Sequence, residues 1–176
     1  MLIVIPNNSL VVMIGISGSG KSTFARKYFS PTQIVSSDFC RALICDDEND
    51  QTVNNDAFEL LHLLLAKRLA LRKLTVVDAT NVKATSRQPL LDLAKTYDVP
   101  AIAIVFNFEL EFCLQQNSQR THRVVPPEIL TEQFQELQTS IPMLADEGFQ
   151  LVHVLSSPNQ VKVSVEPIEP VESLKS

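Results

Sequence analysis

The chain has 176 residues, of which 45% are hydrophobic and 20% are charged, and its formal net charge is −5. This length indicates one domain, and the apolar content excludes global disorder. The negative charge argues against nucleic-acid binding through bulk charge, so any such binding would need a local basic site.

Short apolar segments along the chain predict the strands of a sheet. The first, residues 10–14, is apolar throughout, as expected for a strand that is buried on both faces. The last, residues 149–155, alternates more between apolar and polar residues, as an edge strand does. The three predicted strands between them are 33–35, 74–77 and 101–106.

Helical patterns alternate with these strands. They cover residues 21 to about 30, a segment capped by Ser37 or Asp38, 55–72, 85–97, 109 to about 120, and 127–145. Pro89 is compatible with its helix only in the first turn. The alternation predicts an α/β fold with a central, mostly parallel five-stranded sheet flanked by helices. We expect one domain over residues 1–156 and a loose, proline-containing tail over 157–176.

Glycine is scarce and clustered in this sequence. The chain has only 4 glycines, where average usage would give about twelve. Gly15, Gly18 and Gly20 lie close together, which indicates a place where the backbone approaches a ligand. The remaining glycine, Gly148, is typical of the end of a helix.

Residues 15–22, Gly-Ile-Ser-Gly-Ser-Gly-Lys-Ser, match the G-x-x-x-x-G-K-[ST] pattern of a phosphate-binding (Walker A) loop between a strand and a helix. Backbone N–H groups of such a loop point at phosphate oxygens. Lys21 is expected to reach the β- and γ-phosphates of ATP or another nucleoside triphosphate, Ser22 to bind Mg²⁺, and Thr23 to contact the α-phosphate. The other candidate nucleotide-binding residues of the loop are Gly15, Ser17, Gly18, Ser19 and Gly20.

Two acidic residues follow predicted strands. Asp38 follows the second strand and is a candidate general base for an incoming hydroxyl. Arg41 lies on the same helical face and is a candidate to hold a phosphate of the acceptor. A helix cap and a solvated side chain are the alternatives for this pair. Asp78 ends the third strand and is a candidate Mg²⁺ ligand, directly or through water, with a turn residue as the alternative.

Arg120 and Arg123 follow the fifth predicted helix and would share a face if their segment were helical. Two arginines on a hinged segment can close over a polyphosphate and neutralise the charge that develops during transfer. A solvated end of a charged helix is the alternative. His122 is interpreted as a bystander, and the acidic residues 46–50 as a solvated loop rather than a metal site.

Cysteine usage and hydropathy indicate the compartment. The 3 cysteines cannot all pair and match no zinc pattern, which indicates reduced thiols. No apolar run is long enough for a transmembrane helix, and the N-terminal residues lack the basic region of a signal peptide. We therefore expect a cytoplasmic protein with no membrane partner.

Several segments together resemble the kinase module of bacterial polynucleotide kinase-phosphatase RNA-repair proteins. The matching segments are 10–23, 35–41, 46–52 and 74–81, within a similarity that runs from about residue 2 to about residue 157. The resemblance implies a P-loop phosphotransferase fold like that of adenylate kinase, with a helical lid. It also implies transfer of the γ-phosphate of ATP or another nucleoside triphosphate to the 5′-hydroxyl end of RNA or DNA.

The resemblance further implies a role for each matched residue. Asp38 would be the general base on the 5′-hydroxyl, and Arg41 would hold the acceptor and its adjacent 3′-phosphate. The residues that would act on the donor are the phosphate-loop lysine, the metal ligand and the lid arginines, namely Lys21, Ser22, Arg120 and Arg123.

The sequence departs from this family at Gln116, where the family carries an arginine. If that arginine contacts the nucleotide, this chain would have weaker activity or an altered donor preference. We expect either that end healing here is 5′-phosphorylation alone or that the phosphatase and ligase steps come from separate proteins. A small-metabolite or nucleoside kinase on the same fold, and a nucleotide-binding module without catalysis, are the alternatives.

Overall fold

The computed structural model describes residues 1–121, 123–157 and 161–167. Its strands, in chain order, are β1 (Leu2–Pro6), β2 (Leu10–Gly15), β3 (Ile34–Ser36), β4 (Thr75–Asp78), β5 (Ala101–Phe106), β6 (Leu151–Leu155) and β7 (Lys162–Glu166). Its α-helices are α1 (Lys21–Tyr28), α2 (Ser37–Cys45), α3 (Asn54–Ala70), α4 (Ala84–Thr96), α5 (Leu110–Ser118) and α6 (Pro127–Ser140). Short 3₁₀ helices cover Pro31–Gln33, Gln51–Val53 and Ile141–Asp146.

The main sheet confirms the predicted α/β architecture. It has five strands in the order β3-β4-β2-β5-β6, and every neighbouring pair is parallel. All residues of β2, β4 and β5 are buried, which explains the apolar character of β2, of β5 and of the valines of β4. The more alternating β6 lies at an edge, as predicted. The carboxyl ends of β2, β3 and β4 therefore meet along one edge of the sheet.

The spacing of apolar residues explains where the helices form, and residues such as proline explain where they end. In α3, Leu61, Leu65 and Leu69 recur every four residues and are fully buried, so one face of the helix packs on the core. The predicted helix over 127–145 instead ends at Ser140 and continues as a 3₁₀ helix that contains Pro142, because proline lacks the N–H that an α-helix needs.

Two predictions about helix termini are wrong. The cap of α2 is Ser36, whose hydroxyl accepts the N–H of Phe39 at 3.4 Å, so neither Ser37 nor Asp38 caps this helix. Asp38 lies in the first turn, which frees its carboxylate for other partners. Pro89 lies in the second turn of α4 rather than the first. Proline has no N–H to donate to the carbonyl four residues before it. Because Pro89 is exposed, water can hydrate that carbonyl instead.

The prediction of a loose C-terminal tail is also wrong for the part of the tail that the structure describes. Strand β7 pairs in parallel with β1 to form a separate two-stranded sheet. Ile3 and Ile5 of β1 are fully buried in the core, and the Tyr28 hydroxyl donates to the Val161 carbonyl at 2.5 Å. Val161 and Val163 pack partly buried against the core, whereas Val165 is exposed. Residues 158–160 and 168–176 lie outside the described residues.

All three cysteines, Cys40, Cys45 and Cys113, are free thiols. Within the described ranges, no helix combines the length and the apolar character that crossing a membrane would require.

Candidate active site

A cleft of about 1150 Å³ lies at the carboxyl edge of the main sheet. The phosphate loop, the end of β4, the start of α2 and the connection between α5 and α6 all contribute to its walls. The residues predicted from the sequence that line it are Gly18, Gly20, Ser22, Thr23, Asp38, Asp78, Arg120 and Arg123. The fold thus brings the candidate donor residues and the candidate general base into one space.

The phosphate loop requires glycine at Gly18. Its φ of +83° is in the left-handed region, and a Cβ atom there would lie 2.4 Å from the backbone carbonyl oxygen of Cys113. Gly20 has a similar φ of +86°, but a Cβ atom there would meet open space. The centre of the phosphate loop therefore packs closely against α5. At the end of the loop, where α1 begins, a Cβ atom on Gly20 would have no close neighbour.

Lys21 lies beneath the loop with only 7% of its surface exposed. Its ammonium group donates to the Ile16 carbonyl at 2.8 Å and to the Ser19 hydroxyl at 3.3 Å. Burial lowers the pKa of Lys21 to about 8, and the nearby Asp78 carboxylate opposes this shift. Lys21 is thus still mostly protonated at neutral pH and can exchange these loop contacts for phosphate oxygens.

Asp78 and Ser22 form the candidate magnesium site. Ser22 and Asp78 both line the cleft, and Asp78, which ends β4, is buried. Burial raises the pKa of Asp78, while Lys21 and Ser22 oppose the shift. A hydroxyl and a carboxylate fit Mg²⁺, which takes a few protein oxygens together with water and phosphate oxygens.

One carboxylate oxygen of Asp38 accepts hydrogen bonds from two arginines. Its Oδ1 accepts a hydrogen bond from Nη1 of Arg123 at 2.7 Å and a second from Nη2 of Arg41. The Asp38 side chain is 43% exposed and lines the cleft. Because both contacts use Oδ1, Oδ2 is oriented by them and can accept a hydrogen bond from a hydroxyl in the cleft.

Arg41 faces the protein interior, and the cleft-lining residues do not include it. Besides Asp38, it donates through Nε to the Glu48 carbonyl at 2.7 Å and through Nη1 to Oδ1 of Asn54 at 3.0 Å. Burial lowers the pKa of Arg41, and Asp38 opposes that shift. The geometry makes Arg41 a group that positions Asp38, whereas a contact with an acceptor phosphate stays a prediction.

Arg120 and Arg123 lie on the connection between α5 and α6, whose described residues are not helical. The expected shared helical face is therefore absent in the described part of this connection, and the segment over the cleft is a loop. Asn117 explains the loop: its side chain donates to the Val125 carbonyl at 2.8 Å and accepts the Val125 N–H at 3.1 Å. These two bonds close the base of the loop, and both arginines project from it into the cleft lining.

Comparison with known proteins identifies the family of this fold. The family model described as "AAA domain" matches residues 10–143, which is most of the chain and includes the phosphate loop, Asp38, Asp78, Arg120 and Arg123. The chain belongs to this AAA domain family. No match was found among the curated proteins.

Solved structures share the fold of this AAA domain. The Pnkp1/Rnl/Hen1 RNA repair complex matches at 22% identity with a TM-score of 0.65, covering 75% of this chain and 44% of that one. A gluconokinase from Sinorhizobium meliloti 1021 matches at 18% identity and 0.52, covering 88% and 86%. Kti12 from Chaetomium thermophilum, in complex with ADP-AlF3, matches at 15% identity and 0.60, covering 86% and 90%.

These matches confirm the P-loop kinase fold and the resemblance to the repair kinase module that the sequence predicted. The AAA domain spans less than half of the chain that it matches in the repair complex. Because the identities are low, the likeness concerns the fold rather than the substrate.

The AAA domain also contains site residues that the sequence did not reveal. Oε1 of Gln133, on α6, accepts the N–H of Ser17 in the phosphate loop at 2.9 Å. Gln116, the departure from the resembling family that the sequence did reveal, lines the cleft. Glutamines on exposed helices are common, so nothing in the sequence singled out Gln133.

Arg87 is fully buried and was also missed. It donates to both carboxylate oxygens of Glu147, at 2.7 and 2.5 Å, and to the Asn81 carbonyl at 2.8 Å. The Asn81 side chain in turn donates to the Met13 carbonyl of β2 at 2.9 Å. This network holds the turn after Asp78 against the strand that leads into the phosphate loop. A charged residue on the otherwise apolar face of α4 was the available signal.

Proposed function

We propose that this protein is a polynucleotide 5′-hydroxyl kinase. It transfers the γ-phosphate of ATP or another nucleoside triphosphate to the 5′-hydroxyl end of RNA or DNA. One observation carries the proposal: Asp38, held between Arg41 and Arg123, lines the same cleft as the phosphate loop and Asp78. A carboxylate positioned by two cations opposite a phosphate loop suits a base that orients an attacking hydroxyl.

The size of the cleft supports two bound reactants. Single small-molecule sites usually measure about 300–1,000 Å³, and this cleft measures about 1150 Å³. A nucleoside triphosphate on the loop leaves room beside Asp38 for the end of an oligonucleotide. Few cationic side chains are needed for this, because only the terminal phosphates would enter the cleft.

The residues divide the chemistry between them. The loop amides and Lys21 bind the triphosphate, and Ser22 and Asp78 would hold Mg²⁺, which supplies neutralisation of phosphate charge when bound. Asp38 accepts the proton of the 5′-hydroxyl. The hydroxyl oxygen forms a bond to the γ-phosphorus, and the bond between the γ-phosphorus and the oxygen of the β-phosphate breaks. Arg120 and Arg123 stabilise the charge on the transferring group.

Partners and location belong to the same proposal. The Pnkp1/Rnl/Hen1 structure is an RNA repair complex, and by analogy we propose that separate phosphatase or ligase proteins complete end healing in the cytoplasm. Within the described residues no membrane-crossing helix is found.

A small-metabolite or nucleoside kinase is the second candidate. The gluconokinase match, and a match to a shikimate kinase from Acinetobacter baumannii, each cover more than four fifths of both chains. The fold of this chain therefore suits such enzymes as well.

A label-transfer assay separates these functions. The protein is incubated with Mg²⁺ and γ-labelled ATP, and is offered 5′-hydroxyl RNA, 5′-hydroxyl DNA, nucleosides, gluconate and shikimate, with the Asp38→Asn variant as background. Label on an oligonucleotide that Asp38→Asn fails to transfer supports the proposal. Label on small molecules alone overturns it, and ATP binding without transfer to any acceptor indicates a binding module.

A further inference from the structure

Phe39 is a large aromatic residue that is exposed rather than buried in the core. It follows Asp38 directly in the first turn of α2 and lines the cleft, yet 60% of its surface is exposed. A large apolar side chain at the mouth of a functional cleft, rather than in the core, is the informative exception to burial.

Other apolar residues line the same cleft. Phe29, Pro31 and Ile34 are among its lining residues, together with polar ones such as Ser22 and Arg120. Against the apolar part of this lining a sugar acid or a polyol would lose hydrogen bonds. A flat aromatic group would instead bury its face there without losing hydrogen bonds, since its polar atoms lie at its edge.

We propose that Phe39 is the platform on which the nucleobase of the acceptor's 5′-terminal nucleotide stacks. This inference rests on the proposed function and names how the substrate is recognised. The base and the 5′-hydroxyl belong to one sugar, and Phe39 and Asp38 are adjacent in the first turn of one helix. Stacking on Phe39 therefore sets the sugar so that its 5′-hydroxyl faces Asp38.

The helix position fixes the backbone that carries the platform. The Phe39 N–H is held by the capping hydroxyl of Ser36, and Asp38 beside it is held by Arg41 and Arg123. Stacking tolerates every base, because each has a π-face. The site therefore accepts ends of any sequence but distinguishes a terminal nucleotide that has a base from one that lacks it.

Leu43 offers a matched control on the same helix. It lies one turn beyond Phe39 and is 58% exposed, but it is not among the described residues that line the cleft. If the exposed face of α2 served to dock another protein instead, Phe39 and Leu43 would contribute to that contact together.

The first experiment measures stacking directly. A short 5′-hydroxyl oligonucleotide with 2-aminopurine as its terminal base is titrated with the ADP-bound protein. We expect the parent and Leu43→Ala to quench the fluorescence equally and Phe39→Tyr to retain the quenching. Phe39→Ala should lose the quenching and bind about 5- to 150-fold more weakly, with an unchanged affinity for ADP. Equal weakening by Leu43→Ala and Phe39→Ala would overturn the platform.

The second experiment removes the base instead of the ring. The parent should phosphorylate an oligonucleotide with an abasic 5′-terminal residue about 5- to 150-fold less efficiently in kcat/KM, whereas Phe39→Ala should treat the two substrates alike. Equal efficiency of the parent on both substrates overturns the stacking but leaves the proposed function intact. Transfer to no oligonucleotide at all overturns both.

Discussion

The Asp38 carboxylate accepts a hydrogen bond from Arg123 at 2.7 Å, although the two residues are 85 positions apart in the chain. Asp38 lies at the start of α2, and Arg123 lies on the loop between α5 and α6. The contact links the candidate general base to a segment that lines the same cleft as the phosphate loop. A displacement of Arg123 would therefore change the hydrogen bonding of the Asp38 carboxylate.

Replacing Asp38 by asparagine should separate binding from transfer. Asparagine keeps an acceptor oxygen for Arg41 and Arg123 but cannot take up the proton of the 5′-hydroxyl. We expect kcat to fall by about 10²–10⁴ with little change in the ATP dissociation constant, measured by label transfer and by calorimetry. Asp92→Asn, an exposed carboxylate on α4, is the control. Retained kcat in Asp38→Asn would remove the general base from the mechanism.

Removing the side chain of Arg123 should act on the chemical step. Arg123→Ala loses one donor to the transferring phosphoryl group and one support of Asp38, so kcat should fall by about 10²–10³. Arg72→Ala is the matched control, because Arg72 is exposed and pairs with Asp98 at 3.6 Å on the surface. If both variants behave alike in single-turnover assays, the assignment of Arg123 to the transition state is wrong.

Affinity for ATP should depend on pH through Lys21. Its pKa in the free protein is lowered to about 8 by burial, and triphosphate binding favours the protonated ammonium. Affinity should thus be constant near pH 7 and fall by up to about tenfold per pH unit above pH 8. Lys21→Arg keeps its charge over this range and should show no such fall. Calorimetry in matched buffers from pH 6.5 to 9.5 tests this; a flat profile for the parent contradicts it.

The two glycines of the phosphate loop should differ in their tolerance of alanine. Gly20→Ala costs only the left-handed backbone conformation, about 1–2 kcal/mol. Gly18→Ala adds a collision with the backbone of Cys113, so its loss of unfolding free energy should be clearly larger. Urea unfolding of both variants measures the difference. Equal losses would show that the loop moves away from α5 at little cost.

The buried Arg87–Glu147 pair should be essential for stability. Arg87→Leu leaves Glu147 without its partner in a largely buried position, so the free energy of unfolding should fall by about 3–5 kcal/mol. Adding Glu147→Leu removes the unpaired charge and should recover part of that loss. Urea unfolding of the single and double variants forms the test, and no recovery in the double variant would argue against an unpaired charge as the cause.

Features that are formed by residues close together in the chain could be predicted from the sequence. The phosphate loop is contiguous, so its spacing and its strand and helix neighbours were enough to predict it. The buried strands were recognisable because strands that are enclosed on both faces are rich in apolar residues. The weaker signals were missed or misplaced: β7 alternates over only a few residues, and the cap of α2 lies one residue before the predicted positions.

By itself, the sequence determined the parallel sheet, the position of the phosphate loop at its carboxyl edge, and the candidate acceptor residues, because these depend on periodicity and on adjacent residues. Only the tertiary structure decided which atoms those side chains meet. Arg41 turns inward to hold Asp38, while Arg123 reaches Asp38 from a distant loop. Such contacts depend on how helices and loops pack across the sheet, and that packing follows from the burial of apolar faces contributed by the whole chain.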